Sequence, residues 1–145
     1  GTEDGANVEI HGLVGDDNIY TFGKSSQYVI DLYNTNGYRS HDFYQRDAIK
    51  PIIDFIVSDE LLALGDSTRL NRLYNDIKSK DWFMALLDLE EYIEVKDKML
   101  KDYENHTLWT EKAIVNIAKA GFFSSDRTIT QYNNEIWHLT PHKNN

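Results

Sequence analysis

The stretch Gly1–Phe22, GTEDGANVEIHGLVGDDNIYTF, decides whether this chain is wholly helical or carries a sheet. Gly1, Gly5, Gly12 and Gly15 crowd around Val8 and Ile10, which alternate as a short strand does. Ile19 to Phe22 reads as a second strand. Two short strands form only a marginal ribbon in water, so this reading places them at the end of a larger sheet whose other members lie elsewhere. A bare edge recruits other edges, and the chain is expected to self-associate through Val8, Ile10, Ile19 and Phe22, with Ile129, Tyr132, Ile136 and Trp137 near the C-terminus contributing similarly.

Beyond Phe22 the periodicity changes to that of helices. Ser25 or Ser26 caps a segment with Val29, Ile30 and Tyr33 on one face, stopped near Gly37. Phe43, Tyr44, Ile49, Ile52, Ile53 and Ile56 follow at helical offsets, and Pro51, shortly after the possible cap Asp47, marks a new start or a kink. Leu70, Leu73, Tyr74 and Ile77 repeat the spacing behind Thr68 as cap. Asp88 and Glu91 have the spacing of a capping box ahead of Tyr92, Val95, Met99 and Tyr103. Trp109, Ala113, Ile114, Ile117 and Ala118 form the next stripe, ending at Gly121. Ser125 or Asp126 opens a last helix with Ile129, Tyr132, Ile136 and Trp137, which Pro141 ends. The expectation is six or seven helices and two or three short N-terminal strands. By region, 1–23 is the end of a sheet, 24–137 is helical and 138–145 is a polar tail.

The 145 residues suit one folding unit, and 41% hydrophobic with 12% aromatic content argues for a packed core. A net charge of -9 repels phosphate backbones, so neither nucleic acid nor an anionic membrane is expected as a partner. There is no cysteine, which removes disulfides and thiolate zinc sites and accords with a cytoplasmic location. No run approaches the roughly 18 apolar residues of a membrane span.

The side chains able to carry chemistry read as structural. Asp4, Asp16 and Asp17 lack the alternating ligands and closing glutamate of a calcium loop. Gly12 to Gly15 matches neither dinucleotide nor P-loop spacing. His11, His41, His106, His138 and His142 show no metal-binding interval. Glu90, Glu91 and Glu94 resemble a glycosidase pair less than a solvated helix face, with Glu94 and Lys98 spaced for pairing. Ser124 to Arg127 reads as a helix cap ahead of an anion site.

Two long segments then carry a resemblance. Gly1 to Ile10 resembles the G-T-x-D-G-A-N-V-E stretch of α-glucan phosphorylases, and Asn116 to Ile129 is similar to their N-I-A-x-x-G-x-F-S-S-D-R-T-I segment. Between and after them, Asp88 to Tyr92 resembles the family's D-x-x-E-Y, Trp109-Thr110 its W-T, and Gln131-Tyr132 with Glu135 to Trp137 its final Q-Y-x-x-E-I-W. The stretch from Arg39 to Asp81 carries the likeness least. Phe122 stands where many relatives have a polar or basic residue, and Asn133-Asn134 where small or charged ones are common.

The resemblance implies a mostly α fold with a few short N-terminal β-strands, the C-terminal part of a Rossmann-like α/β domain in a two-domain GT-B-type glycosyltransferase. It implies a parent enzyme that cleaves α-1,4-glucan at non-reducing ends with inorganic phosphate, releases glucose 1-phosphate, uses pyridoxal 5′-phosphate and forms a homo-oligomer. The family's Schiff-base lysine lies in an E-A-S-G-T-x-N-M-K stretch that this sequence lacks. None of Lys24, Lys50, Lys78, Lys80, Lys96, Lys98, Lys101, Lys112, Lys119 or Lys143 stands in such a context. No catalytic, cofactor-binding or metal residue is therefore assigned, and the chain alone is expected to be inactive and to bind no cofactor. The resemblance further implies that Asp4, Gly5 and Asn7 turn the chain after a sheet strand, while Ser124 to Arg127 aim the closing helix. The alternative reading is a self-standing acidic helical module that binds other proteins without catalysis.

Overall fold

In the computed structural model, which describes residues 1–140, the Gly5–Val14 stretch is a helix (α1). This corrects the first expected strand. Ile10, Leu13 and Val14 fall three and four residues apart, one side of a helix, and that side packs beside Ile117, Ala120 and Phe123 near the end of helix α8, His106–Ala120. Asp4 starts α1 from an extended backbone, its carboxylate accepting the Thr2 hydroxyl and the Asn7 amide, both at 3.0 Å.

Ile19 to Phe22 is extended but has no ladder to join. Among the described residues its backbone exchange is with Gly1, whose ammonium donates to the Tyr20 carbonyl at 2.7 Å and whose carbonyl accepts from the Phe22 N–H at 3.0 Å. Among the described residues there is no strand and no sheet, so the expected N-terminal strands and Rossmann-like α/β class are overturned by an all-helical arrangement. Pro141, His142 and the rest of the polar tail beyond residue 140 lie outside the described residues.

The remaining helices are α2 Ser26–Thr35, α3 Ser40–Tyr44, α4 Lys50–Asp54, α5 Asp59–Leu64, α6 Ser67–Ser79, α7 Ala85–Glu104 and α9 Ser125–Tyr132. Three 3-10 turns, Asp16–Asn18, Phe55–Val57 and Gly121–Phe123, and a π-turn at Asn133–Trp137 complete the described chain. The long stripe expected from Phe43 to Ile56 is thus broken into α3, α4 and a 3-10 turn, with Pro51 in the first turn of α4.

The caps explain where the helices begin. Ser25 accepts from the Tyr28 N–H, Ser58 from Leu61, Asp66 from Arg69, and Ser124 from Arg127. Asp66 replaces the expected Thr68, and Ser124 the expected Ser125 or Asp126. Helix α2 ends on Asn36 in the left-handed region at φ 49, with the Gly37 N–H reaching back to Leu32 at 2.9 Å.

The core is small and lies in the middle of the chain. Tyr44, Ile49, Ile53 and Leu86 are buried together, with Phe43, Ile56, Tyr74, Ile77 and Leu89 packed around them from α3, the Phe55–Val57 turn, α6 and α7. Ile49 is 0% and Leu86 1% exposed. A satellite joins the first residues to the α7/α8 hairpin: Tyr20 stacks on Trp109 at 6.2 Å, and Trp109 meets Tyr103 edge-on at 5.1 Å. Asn116 ties the 3-10 turn to α8 by donating to the Asn18 carbonyl at 2.9 Å.

Candidate functional site

A cleft with a volume of about 600 Å³ runs between the N-terminal segment, α2 and α7. Its apolar wall is Phe22, Val29, Ile30, Phe83 and Tyr92, and its polar side is Lys24 and Asp88 with Glu3 and Asp4. Phe22 meets Tyr92 edge-on at 5.0 Å. Asp88 holds the floor by accepting the Lys24 N–H at 3.2 Å. Gly23 permits this approach: its φ is +95, and a Cβ there would stand 2.9 Å from the Asp88 carboxylate. Burial pushes the Asp88 carboxyl above its ordinary value, opposed by the Lys24 N–H. The Lys24 ammonium turns away to Glu91 at 3.1 Å, and that pair keeps it charged.

One side of the cleft is a rigid loop. Asp81 and Met84 both have left-handed backbones, at φ 37 and 53, and both are buried. The Asp81 carboxylate accepts the Ala85 and Leu86 N–H groups at 3.0 and 2.9 Å and the Tyr38 hydroxyl, so it caps α7 from outside the helix. Burial, then the bond to Asp81, holds the Tyr38 phenol far above its ordinary range. Tyr33 donates to the Trp82 carbonyl at 2.9 Å. Between the two buried residues, Trp82 and Phe83 are held out in solvent at 71% and 92% exposure.

A third cluster sits at the core's edge, where Asp54 accepts from Tyr44 at 2.5 Å, from Tyr74 at 2.9 Å and from Lys50. Lys50 and the two phenols hold the Asp54 carboxyl down at about 2. Lys78 donates to Tyr74 at 3.0 Å and lies 4.6 Å over the Tyr44 ring. This network pins α3, α4 and α6 together, and it leaves no free base or nucleophile.

The residues singled out in the sequence are dispersed. His11 pairs with Asp16, His41 lies beside α6, His106 starts α8 and His138 follows the π-turn, while His142 lies outside the described residues. Among the described residues no cluster of histidine and carboxylate is placed to hold a metal ion. Glu90 pairs with Arg46 at 2.5 Å and Glu91 with Lys24, so the two carboxylates serve different neighbours. Lys98 pairs with Asp102 at 2.5 Å in place of the expected Glu94. Arg127 stacks 3.8 Å over Phe122 and donates to its carbonyl and to Gln131, which leaves Ser124 to Arg127 as a cap. Asp81 and Asp54, the two best-connected carboxylates, have no local motif; their partners are brought together by tertiary packing alone. No helix among the described residues is long and apolar enough to cross a membrane.

Comparison with known proteins supplies what the geometry does not. The carbohydrate phosphorylase family profile matches residues 1–139. The chain is 64% identical to maltodextrin phosphorylase of Streptococcus pneumoniae, over 96% of this chain and 18% of that protein. It is 36% identical to glycogen phosphorylase of Bacillus subtilis, over 97% of this chain and 18% of that protein. Against the muscle form of glycogen phosphorylase of Rattus norvegicus it is 39% identical, over 97% and 17%. The chain therefore spans under a fifth of the length of the curated relatives it matches.

Proposed function

Because this chain belongs to the carbohydrate phosphorylase family, we propose that it is one part of a larger α-1,4-glucan phosphorylase, the C-terminal part of its cofactor-side domain. The parent reaction moves the terminal glucosyl unit of the glucan from the O4 of its neighbour to a phosphate oxygen. The products are glucose 1-phosphate and a glucan one unit shorter, and a proton goes to the departing O4. The observation that carries this reading is the match along nearly the whole chain to enzymes named maltodextrin and glycogen phosphorylase. The same reading places the parent in the cytoplasm as a homo-oligomer.

The surface supports a part with missing neighbours. The chain exposes 10953 Å², whereas a free-standing globular protein of 16.9 kDa exposes about 7,700 Å². That surplus suits an element that lies against more protein.

Four of this chain's lysines do not fit the role of Schiff-base partner to pyridoxal 5′-phosphate, the cofactor of this family. A Schiff-base lysine works from a site that favours its neutral amine. Here Lys24, Lys50, Lys78 and Lys96 are each held above their ordinary value, chiefly by hydrogen bonds to Glu91, Asp54, Tyr74 and Asp97. The chain's contribution is scaffold.

The test is an assay of whole protein and chain side by side. The whole protein should release glucose 1-phosphate from maltodextrin and phosphate; the chain alone should not, and borohydride after pyridoxal 5′-phosphate should leave no stoichiometric label on it. A whole protein inert toward every α-glucan, or one lysine of the chain labelled fully, would overturn the reading.

A further inference from the structure

One cavity differs in charge from the rest of this acidic molecule. It opens between α3 and the C-terminal end of α6, has a volume of about 530 Å³, and is lined by Arg39, His41, Asn75, Lys78 and Lys80 with Tyr38 and the serines 40 and 79. No carboxylate lines it. The chain as a whole carries -9, whereas this opening is lined by three permanent cations, of which Lys80 is shared with Asp76, and an imidazole.

The nearby acids are already engaged. Asp81 is 7% exposed and accepts from the Tyr38 hydroxyl and two backbone N–H groups. Asp76 stands between Lys80 at 3.4 Å and Arg72 at 3.7 Å. Asp42, though next to His41 in the chain, is not part of the lining. The walls are fixed as well. Ser40 is buried and donates to the Lys78 carbonyl at 2.9 Å, which locks α3 onto α6.

Two of the cations have another explanation. Lys78 and Lys80 lie at the end of α6, where positive charge complements the helix dipole. That account does not reach Arg39 and His41, which come from a different element and converge on the same opening. Arg39 has no carboxylate within salt-bridge distance among the described residues. The guanidinium fork of Arg39, the ammonium of Lys80 beside Asp76, that of Lys78 beside Tyr74, and amide and hydroxyl donors suit a compact, multiply charged oxyanion. A long polyanion would meet the molecule's overall negative field.

We propose that this cavity is a binding site for a phosphate dianion, either inorganic phosphate or the phosphate of a small phosphomonoester. It does not depend on the family reading.

The experiment is an amide NMR titration of the 145-residue chain with inorganic phosphate and, separately, glucose 1-phosphate, at ionic strength held constant with chloride. Saturating shifts should appear at Arg39, Ser40, His41 and Lys80, with a dissociation constant on the order of a few millimolar. Arg39→Gln with Lys80→Gln, both on exposed side chains, should weaken binding about tenfold, and Arg39→Lys, which keeps charge without the fork, should weaken it less. Tighter binding of the ester identifies esterified phosphate as the ligand, and equal binding identifies free phosphate; either supports the site. Shifts that grow linearly and match those from chloride, or that survive in the double variant, would overturn it.

Discussion

Gly23, Asp81 and Asp54 each show one residue fixed by a contact distant in sequence. Replacing Gly23 with alanine forces a Cβ to 2.9 Å from Asp88 at a φ of +95. The variant should lose about 1–3 kcal/mol of stability in urea unfolding. Adding Asp88→Ala should return only the steric share, because the backbone strain stays. Asp81→Asn keeps the side chain's size but leaves one of its three donors facing an amide N–H. Its cost should be about 1–3 kcal/mol, seen as a lower urea midpoint with an unchanged slope. Asp54 gives a pH signature. Its folded value of about 2 lies below the ordinary 3.8, so its contacts stabilise the fold above 3.8 and are lost as pH falls through about 2. Solvent reaches both Asp54 and Lys50, so the effect is modest in size. Asp54→Asn should flatten the dependence of stability on pH in that window, and a slope unchanged from the parent would show that the network carries no linkage.

Helix stripes were legible where a cap and an apolar face agreed. Ser25 ahead of Val29, Ile30 and Tyr33 gave α2, and the Leu70 to Ile77 and Trp109 to Ala118 spacings gave α6 and α8. The first helix was not legible as such. Val8 and Ile10 alternate like a strand, glycines lower the local helix propensity, and the face that decides the matter, Ile10 with Leu13 and Val14, is completed only by α8 some hundred residues on. The start of α7 was displaced for a similar reason. Asp88 and Glu91 have the spacing of a capping box, yet the capping oxygens come from Asp81 across two left-handed residues, a geometry without periodic signal. Of the candidate clusters, the sequence exposed only the components. Asp54 with Tyr44 and Tyr74, and Arg39 with Lys80, meet because α3 packs on α6. One element-level test is favourable in sign. Asn36→Gly places glycine at the left-handed end of α2, φ 49, and should stabilise the chain by about 0.5 kcal/mol in thermal or urea unfolding.

Seven apolar side chains are buried among the described residues, and the surface is far larger than the mass warrants. Much of the surplus is apolar: Ile114, Ile117, Ile129 and Ile136 on the last helical segments are 54% to 74% exposed. The chain alone should therefore self-associate and bind ANS through these faces; the strand edge drops out, while the expected share of Ile129 and Ile136 remains. The charge of -9 opposes association, and salt screens it, so sedimentation equilibrium should show larger species as ionic strength rises. A sharp monomer at every salt and protein concentration would show that the fold is self-sufficient. The loop that holds Trp82 in the open has an optical consequence. With 71% of its surface in water, against 47% for Trp137, its indole should emit at long wavelength and be the tryptophan most open to iodide quenching. Whatever comes to rest on that loop will shift the emission to the blue and shield it from the quencher, so the molecule carries its own fluorescent gauge of when that surface is covered.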